Sequence, residues 1–196
     1  MVYSAGGGGR LPAGFTELAY IESTGTQYIN TGYTPTLNSK IRVKFAPVTK
    51  NNIGYFGARY DPYRFCCTTF SSGNQFAFAV SNNAWSSNRQ TISLNTIYDC
   101  VAENGKQTIN GTEYTESTVS SWGNVYNFKL AGVSAVGQVQ STSAKYYLCQ
   151  IWENGVLAMD LVPAKRNSDS VVGMYDLVSG SFLTNAGSGS FSYGEL

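Results

Sequence analysis

The stretch Thr96-Ile97-Tyr98-Asp99-Cys100-Val101-Ala102-Glu103-Asn104-Gly105-Lys106-Gln107-Thr108-Ile109-Asn110-Gly111-Thr112-Glu113-Tyr114-Thr115 decides the fold class. Its opening residues alternate, with Ile97, Asp99, Val101 and Glu103 on one side and Tyr98, Cys100 and Ala102 on the other. That two-residue period belongs to a strand with one buried face. Asn104-Gly105 follows, and both residue types tolerate positive φ, which makes the pair a strong hairpin signal. The spacing predicts a hairpin joining Thr96–Glu103 to Lys106–Ile109. Asn110-Gly111 predicts a second, leading into Thr112–Thr115.

The same pattern extends outward from this stretch. Lys40 to Phe45 alternates Ile41, Val43 and Phe45 with Lys40, Arg42 and Lys44. Gln75 to Val80 sets Phe76, Phe78 and Val80 against Ala77 and Ala79. Lys145 to Trp152 is apolar on both faces, as a central strand is, and Trp152 reads as core. Asn154-Gly155 then turns the chain into Val156 to Val162. No window of ten residues carries a helical period. About a dozen short strands with turn signals every 8–12 residues or so predict an all-β, antiparallel two-sheet sandwich with little or no helix, rather than βαβ units.

Composition narrows the chemistry. The 196 residues include 13 Lys and Arg, 12 Asp and Glu, 14 Tyr and no histidine, for a formal net charge of +1. Without histidine there is no Ser-His-Asp triad, no Cys-His pair and no histidine-bound metal. The near-zero charge gives no general attraction to nucleic acid or anionic membrane. No apolar run approaches the ~20 residues of a membrane span. Nothing near the N-terminus resembles a signal peptide. Gly6 to Gly9 reads as a flexible linker, so residues 1–10 are expected to lead into a single domain over 11–196. Cys66, Cys67, Cys100 and Cys149 show no Cys-x-x-Cys spacing and are expected to be buried free thiols.

Two stretches carry a resemblance. The first is Leu18-Ala19-Tyr20-Ile21-Glu22-Ser23-Thr24-Gly25-Thr26-Gln27-Tyr28-Ile29-Asn30-Thr31-Gly32-Tyr33. The second runs through Ile151-Trp152-Glu153-Asn154-Gly155, Asp160-Leu161-Val162-Pro163-Ala164-Lys165-Arg166 and Val172-Gly173-Met174-Tyr175-Asp176-Leu177-Val178-Ser179-Gly180, closing with Phe182-Leu183-Thr184-Asn185-Ala186-Gly187. Together they resemble concanavalin A-like lectin/glucanase (laminin-G-like) jelly-roll domains, in particular those of tail and virion proteins from phages and prophages of gut bacteria. The resemblance implies a fold and a general role. Its motifs are structural in character, with Asp176 and Ser179-Gly180 serving a turn.

Some relatives on that fold hydrolyse glycans with two facing carboxylates. Here the acids are dispersed. Glu113 and Glu116 fall on opposite faces of a regular strand, and Asp99 and Glu103 lie four residues apart beside a turn. The reading is therefore non-catalytic. No cofactor and no metal ion is expected, because Asp61 and Asp169 are isolated acids.

Sugar recognition needs a flat apolar platform beside a few fixed polar groups. Three loop-like stretches offer that mixture. The first contains Tyr60, Asp61, Tyr63 and Arg64. The second contains Asn82, Asn83, Trp85, Asn88 and Arg89. The third contains Trp122 and Asn124, with Tyr126 nearby. The expected function is recognition of carbohydrate or of the host-cell surface by a phage-derived virion protein. The partner is then a bacterial surface glycan, and the location a phage particle or, alternatively, a bacterial cell surface. The main alternative is a virion assembly or decoration domain that contacts other virion proteins, with homo-oligomers included. A glycan hydrolase is a second alternative. A Tyr-rich surface of low charge predicts recognition that depends little on salt.

Overall fold

A computed structural model describes residues 9–51, 54–82, 86–123, 125–135 and 138–196. The described residues contain eighteen strands and no helix. In chain order they are β1 (Phe15–Thr24), β2 (Ile29–Asn30), β3 (Ser39–Pro47), β4 (Phe56–Tyr60), β5 (Tyr63–Phe70) and β6 (Gln75–Asn82). β7 (Gln90–Thr91), β8 (Tyr98–Glu103), β9 (Lys106–Ile109), β10 (Thr112–Thr115), β11 (Lys129–Leu130) and β12 (Gly132–Ala135) follow. The last are β13 (Gln138–Ser141), β14 (Ser143–Glu153), β15 (Val156–Arg166), β16 (Val172–Asp176), β17 (Phe182–Thr184) and β18 (Ser192–Glu195).

These strands form two sheets packed as a sandwich, as the alternation predicts. The first sheet runs β10-β9-β8-β3-β14-β1-β15-β16-β17, with β18 added beside β1. The second runs β13-β12-β4-β5-β6-β7, and β11 links β4 to β2. All pairings are antiparallel except β12 with β4. The three Asn-Gly pairs turn where expected. Asn110 and Asn154 take positive φ with the glycines that follow them, and Gly105 does so in the first hairpin.

β14 is central, as its two apolar faces imply. It pairs with β3 along Ser39–Pro47 and with β15 at its far end. Near Ser143–Tyr146 it parts from β15 and pairs with β1 instead. Trp152 departs from expectation. A bulge after Ile151 accompanies its position. The ring is half-buried, with the Lys40 ammonium 4.6 Å from its centre. Ile151 and Cys149 take the inward places instead.

The core between the sheets is strongly aromatic. Phe45 of the first sheet lies 5.0 Å from Phe56 and 5.8 Å from Phe76, centre to centre, and both partners belong to the second sheet. Buried phenols need partners for their hydroxyls. Tyr146 donates to the Tyr55 carbonyl at 2.6 Å, and Tyr55 donates to the Thr49 carbonyl at 2.8 Å. All four cysteines are buried and unpaired. The two stretches quoted above for their resemblance meet in space. Ala186 and Ser188 donate backbone N–H groups to Tyr28 and Thr26, and Asn185 accepts from the Tyr28 N–H. Asp176 accepts from the N–H groups of Val178 and Ser179, holding the expected turn.

Candidate functional site

The β4–β5 hairpin places Tyr60, Asp61, Tyr63 and Arg64 at one end of the second sheet. The segment after β10 crosses from the first sheet to the second and brings Trp122 and Tyr126 to the same end. Tyr63 and Trp122 lie 5.5 Å apart, and Tyr60 and Tyr126 also 5.5 Å apart, centre to centre. Trp122 is oriented by its Nε1–H, which donates to the Pro35 carbonyl at 3.0 Å. Gly123 permits the close approach, since a Cβ there would stand 2.3 Å from the Tyr63 ring. Tyr60 is 53% exposed, so a flat apolar face remains in water.

Asp61 ties this hairpin together. Its carboxylate accepts from Arg59 at 2.7 and 3.0 Å and pairs with Arg64 at 2.7 Å. The hydrogen-bonded Arg59 guanidinium, with Arg64 beside it, holds the Asp61 carboxyl below its ordinary range.

A groove of about 460 Å³ adjoins this cluster. It forms because β7 pairs with β6 only at Gln75 and Phe76, leaving the far end of β6 without a neighbouring strand on that side. One wall is Val80–Asn82, and the other is the crossing segment from Thr115 to Ser121. Ser86 and Ser87 also line it. Serine and threonine hydroxyls dominate the lining, and Asn82 Oδ1 is buried without a hydrogen-bond partner among the described residues.

Among the described residues Glu116 is the one acid in that lining. Its Oε1 accepts from Gln107 Nε2 at 2.6 Å, Asn88 Nδ2 at 2.8 Å and Ser86 Oγ at 2.9 Å. Gln107 is fully buried, and its Oε1 accepts from the Phe78 N–H at 3.1 Å. The glutamine therefore bridges the second sheet to the crossing segment. Among the described residues Glu116 Oε1 accepts three hydrogen bonds and Oε2 accepts none, so the carboxylate is held by one oxygen.

The structure thus joins the first and third expected stretches into one aromatic cluster. Asn82 stands opposite Tyr63 in register and Ser121 precedes Trp122, so two lining residues neighbour the cluster, whose Tyr63 and Trp122 rings pack partly buried against the core. Asn88 and Arg89 have structural employment. Asn88 anchors Glu116 and the Thr115 carbonyl. Arg89 lies 4.0 Å from the centre of the Phe70 ring and donates to the Ser86 carbonyl. Asn83, Trp85 and Asn124 lie outside the described residues. Sequence reasoning weighed Glu116 only as half of a catalytic pair and passed over Gln107, because their partnership joins distant strands. Glu113 bonds Lys106 while Glu116 bonds Gln107. Lys106 and Gln107 are adjacent strand residues, so the two acids lie on opposite faces. Asp99 pairs with Arg42 and Glu103 with Lys106. Among the described residues no group of three His, Cys, Asp or Glu could hold a metal ion. No protein-family model, no curated protein and no solved structure matches this chain.

Proposed function

We propose that the chain is a non-catalytic carbohydrate-recognition module of the concanavalin A-like kind, carried by a phage-derived virion or tail protein that reads the bacterial cell surface. The observation that carries the recognition reading is the polar groove with its anchored Glu116, two of whose lining residues, Asn82 and Ser121, neighbour the Tyr63–Trp122 pair. A sugar presents C–H faces and hydroxyl edges together. The aromatic cluster suits the first, while Asn82, the lining hydroxyls and Glu116 Oε2 suit the second. The groove volume falls within the roughly 300–1,000 Å³ of small-ligand sites. A glycosidase needs two facing carboxylates, and among the described residues Glu116 is the one acid that lines the groove. The virion assignment rests on the resemblance of the two end motifs.

A glycan array combined with whole-cell binding tests the reading. Bound glycans should be lost with Tyr63→Ala and weakened about tenfold with Glu116→Ala, the size expected for one charge-assisted hydrogen bond. Absence of any bound glycan or cell overturns it. Turnover of a bound glycan would overturn the non-catalytic part. A second reading, a virion assembly or decoration domain, is favoured by a tyrosine-lysine surface on the first sheet. Tyr20 and Tyr147 lie 5.6 Å apart there, Lys145 lies over Tyr20, and Lys165 lies over Tyr193. Tyrosine enrichment suits protein interfaces. Stable self-association in sedimentation, unaffected by glycan, would support it.

A further inference from the structure

The groove beside β6 carries one unbalanced charge. Among the described residues no Lys or Arg lines it, and Glu116 is its one acid. Residues 83–85, between Asn82 and Ser86 in the chain, are Asn-Ala-Trp and add no charge. The groups bonded to Glu116 Oε1 are the neutral Gln107, Asn88 and Ser86, and no ion pair to Glu116 occurs among the described residues. Neutral donors hold a carboxylate in place without cancelling its charge. The cations closest in chain or register are engaged elsewhere. Arg89 lies against the Phe70 ring and donates to the Ser86 carbonyl. Arg64, opposite Ser81, pairs with Asp61. Lys106, opposite Thr115, pairs with Glu103 and Glu113.

The groove is also short of donors. Glu116 Oε2 accepts no hydrogen bond among the described residues and is not one of their buried unpartnered atoms, whereas Asn82 Oδ1 is. Both residues line the groove, and both oxygens can only accept. A buried acceptor left without a donor is costly, so the lining favours a ligand that donates. Its charge favours a positive one, because the walls of a cleft focus the field of an uncompensated anion into it. An ammonium meets both conditions, with three donors and a positive charge. A sugar bearing carboxylate, sulfate or phosphate meets neither.

We propose that the groove binds glycans carrying free amino groups, with Glu116 receiving the sugar ammonium. This rests on the carbohydrate reading above and names its ligand class. An N-acetylated sugar offers one amide N–H and no charge at the same position. Its hydroxyls meet the lining serines and threonines as those of the amino sugar do, so the group on nitrogen separates the two. The difference is one charge-assisted hydrogen bond, about tenfold in affinity. A charge pair also brings a dependence on salt that neutral contacts lack.

The test is calorimetric titration at pH 6 with a glucosamine tetrasaccharide, its N-acetylated form and a galacturonate tetrasaccharide. The amino form should bind about tenfold or more tighter than the N-acetylated form, and the galacturonate should not bind. Added salt should weaken the amino form and leave the N-acetylated form unchanged. Glu116→Gln keeps an oxygen for the three donors and removes the charge. It should melt near the parent and bring the two affinities to about the same value. Ser117→Lys places a cation in the same lining at an exposed position, and should lower the preference with Glu116 intact. A preference that survives either substitution overturns the inference. Equal binding of tetralysine, which marks a site for any cation, also overturns it. Exclusive binding of N-acetylated or neutral glycans overturns it and leaves the carbohydrate reading intact. Binding of no glycan overturns both.

Discussion

At the residue scale, polar side chains fix the ends of this sandwich. Glu153 closes the β14–β15 end. It accepts from Tyr33, from Ser39 at 2.8 Å and from Thr36 at 2.8 Å. Burial alone pushes its pKa upward, but these three hydrogen bonds outweigh burial and bring it below the ordinary 4.5. A lowered carboxyl pKa stabilises the fold above the unfolded value and loses that contribution as pH falls through the folded value. Urea midpoints should therefore drop between pH 6 and pH 3 by more in the parent than in Glu153→Gln. At pH 7 that variant should be less stable by about 1 kcal/mol. Equal pH slopes would refute the assignment. Gln107 is the corresponding residue at the groove. Gln107→Leu removes the donor to Glu116 and leaves the Phe78 N–H unsatisfied in the interior. It should cost about 1–3 kcal/mol, read as a lowered melting temperature. Glu116→Ala, at the less buried end of the same network, should cost less stability and more binding.

At the element scale, the strands were largely legible because each is local. Lys40–Phe45 and Gln75–Val80 alternate, and β3 extends the first by three residues and β6 the second by two. The Asn-Gly hairpins formed because both residue types accept the positive φ that the turn imposes. The β4 pairing was less legible. Gly57 lies inside that strand at φ +142, where an added Cβ would meet the Cys66 Cβ at 2.2 Å. In sequence it is only one of 21 glycines. Gly57→Ala combines a disfavoured backbone conformation with a clash against β5, and should destabilise the fold by about 2 kcal/mol or more. Gly155→Ala provides the comparison. Its Cβ meets nothing within 4 Å, so only the backbone penalty applies. If the two variants melt together, contact with β5 contributes nothing.

At the scale of the whole molecule, composition hides where charge is placed, because it averages over two unlike sheets. The first sheet pairs its charges internally, as Arg42 does with Asp99 and Lys106 with Glu103 and Glu113. The strands of the second contribute cations alone, and Arg59 and Arg64 pair with Asp61 of the loop that joins β4 to β5. The groove was hidden for a related reason. Gln107 bonds Glu116, and Asn82 joins Glu116 in the groove lining, only when the crossing segment lies against β6, a contact between residues far apart in the chain. The aromatic cluster was half legible, since its members are common in loops but their pairing needs the fold. The same interlocking makes a prediction about unfolding. Cys67 belongs to the second sheet, Cys100 and Cys149 to the first, yet all three enter one core cluster. Burial raises the pKa of each of these thiols, and the thiolate is the reactive form. An aromatic disulfide reagent should leave these three unlabelled in the native protein. In rising urea they should label together, in the step that melts the tertiary signal, because neither sheet can expose its half of the core alone. Cys66 is buried too, and burial pushes its thiol up as well, so it should also stay unlabelled in the native protein. Labelling of Cys67 ahead of Cys100 and Cys149 would show instead that the second sheet opens as a separate unit.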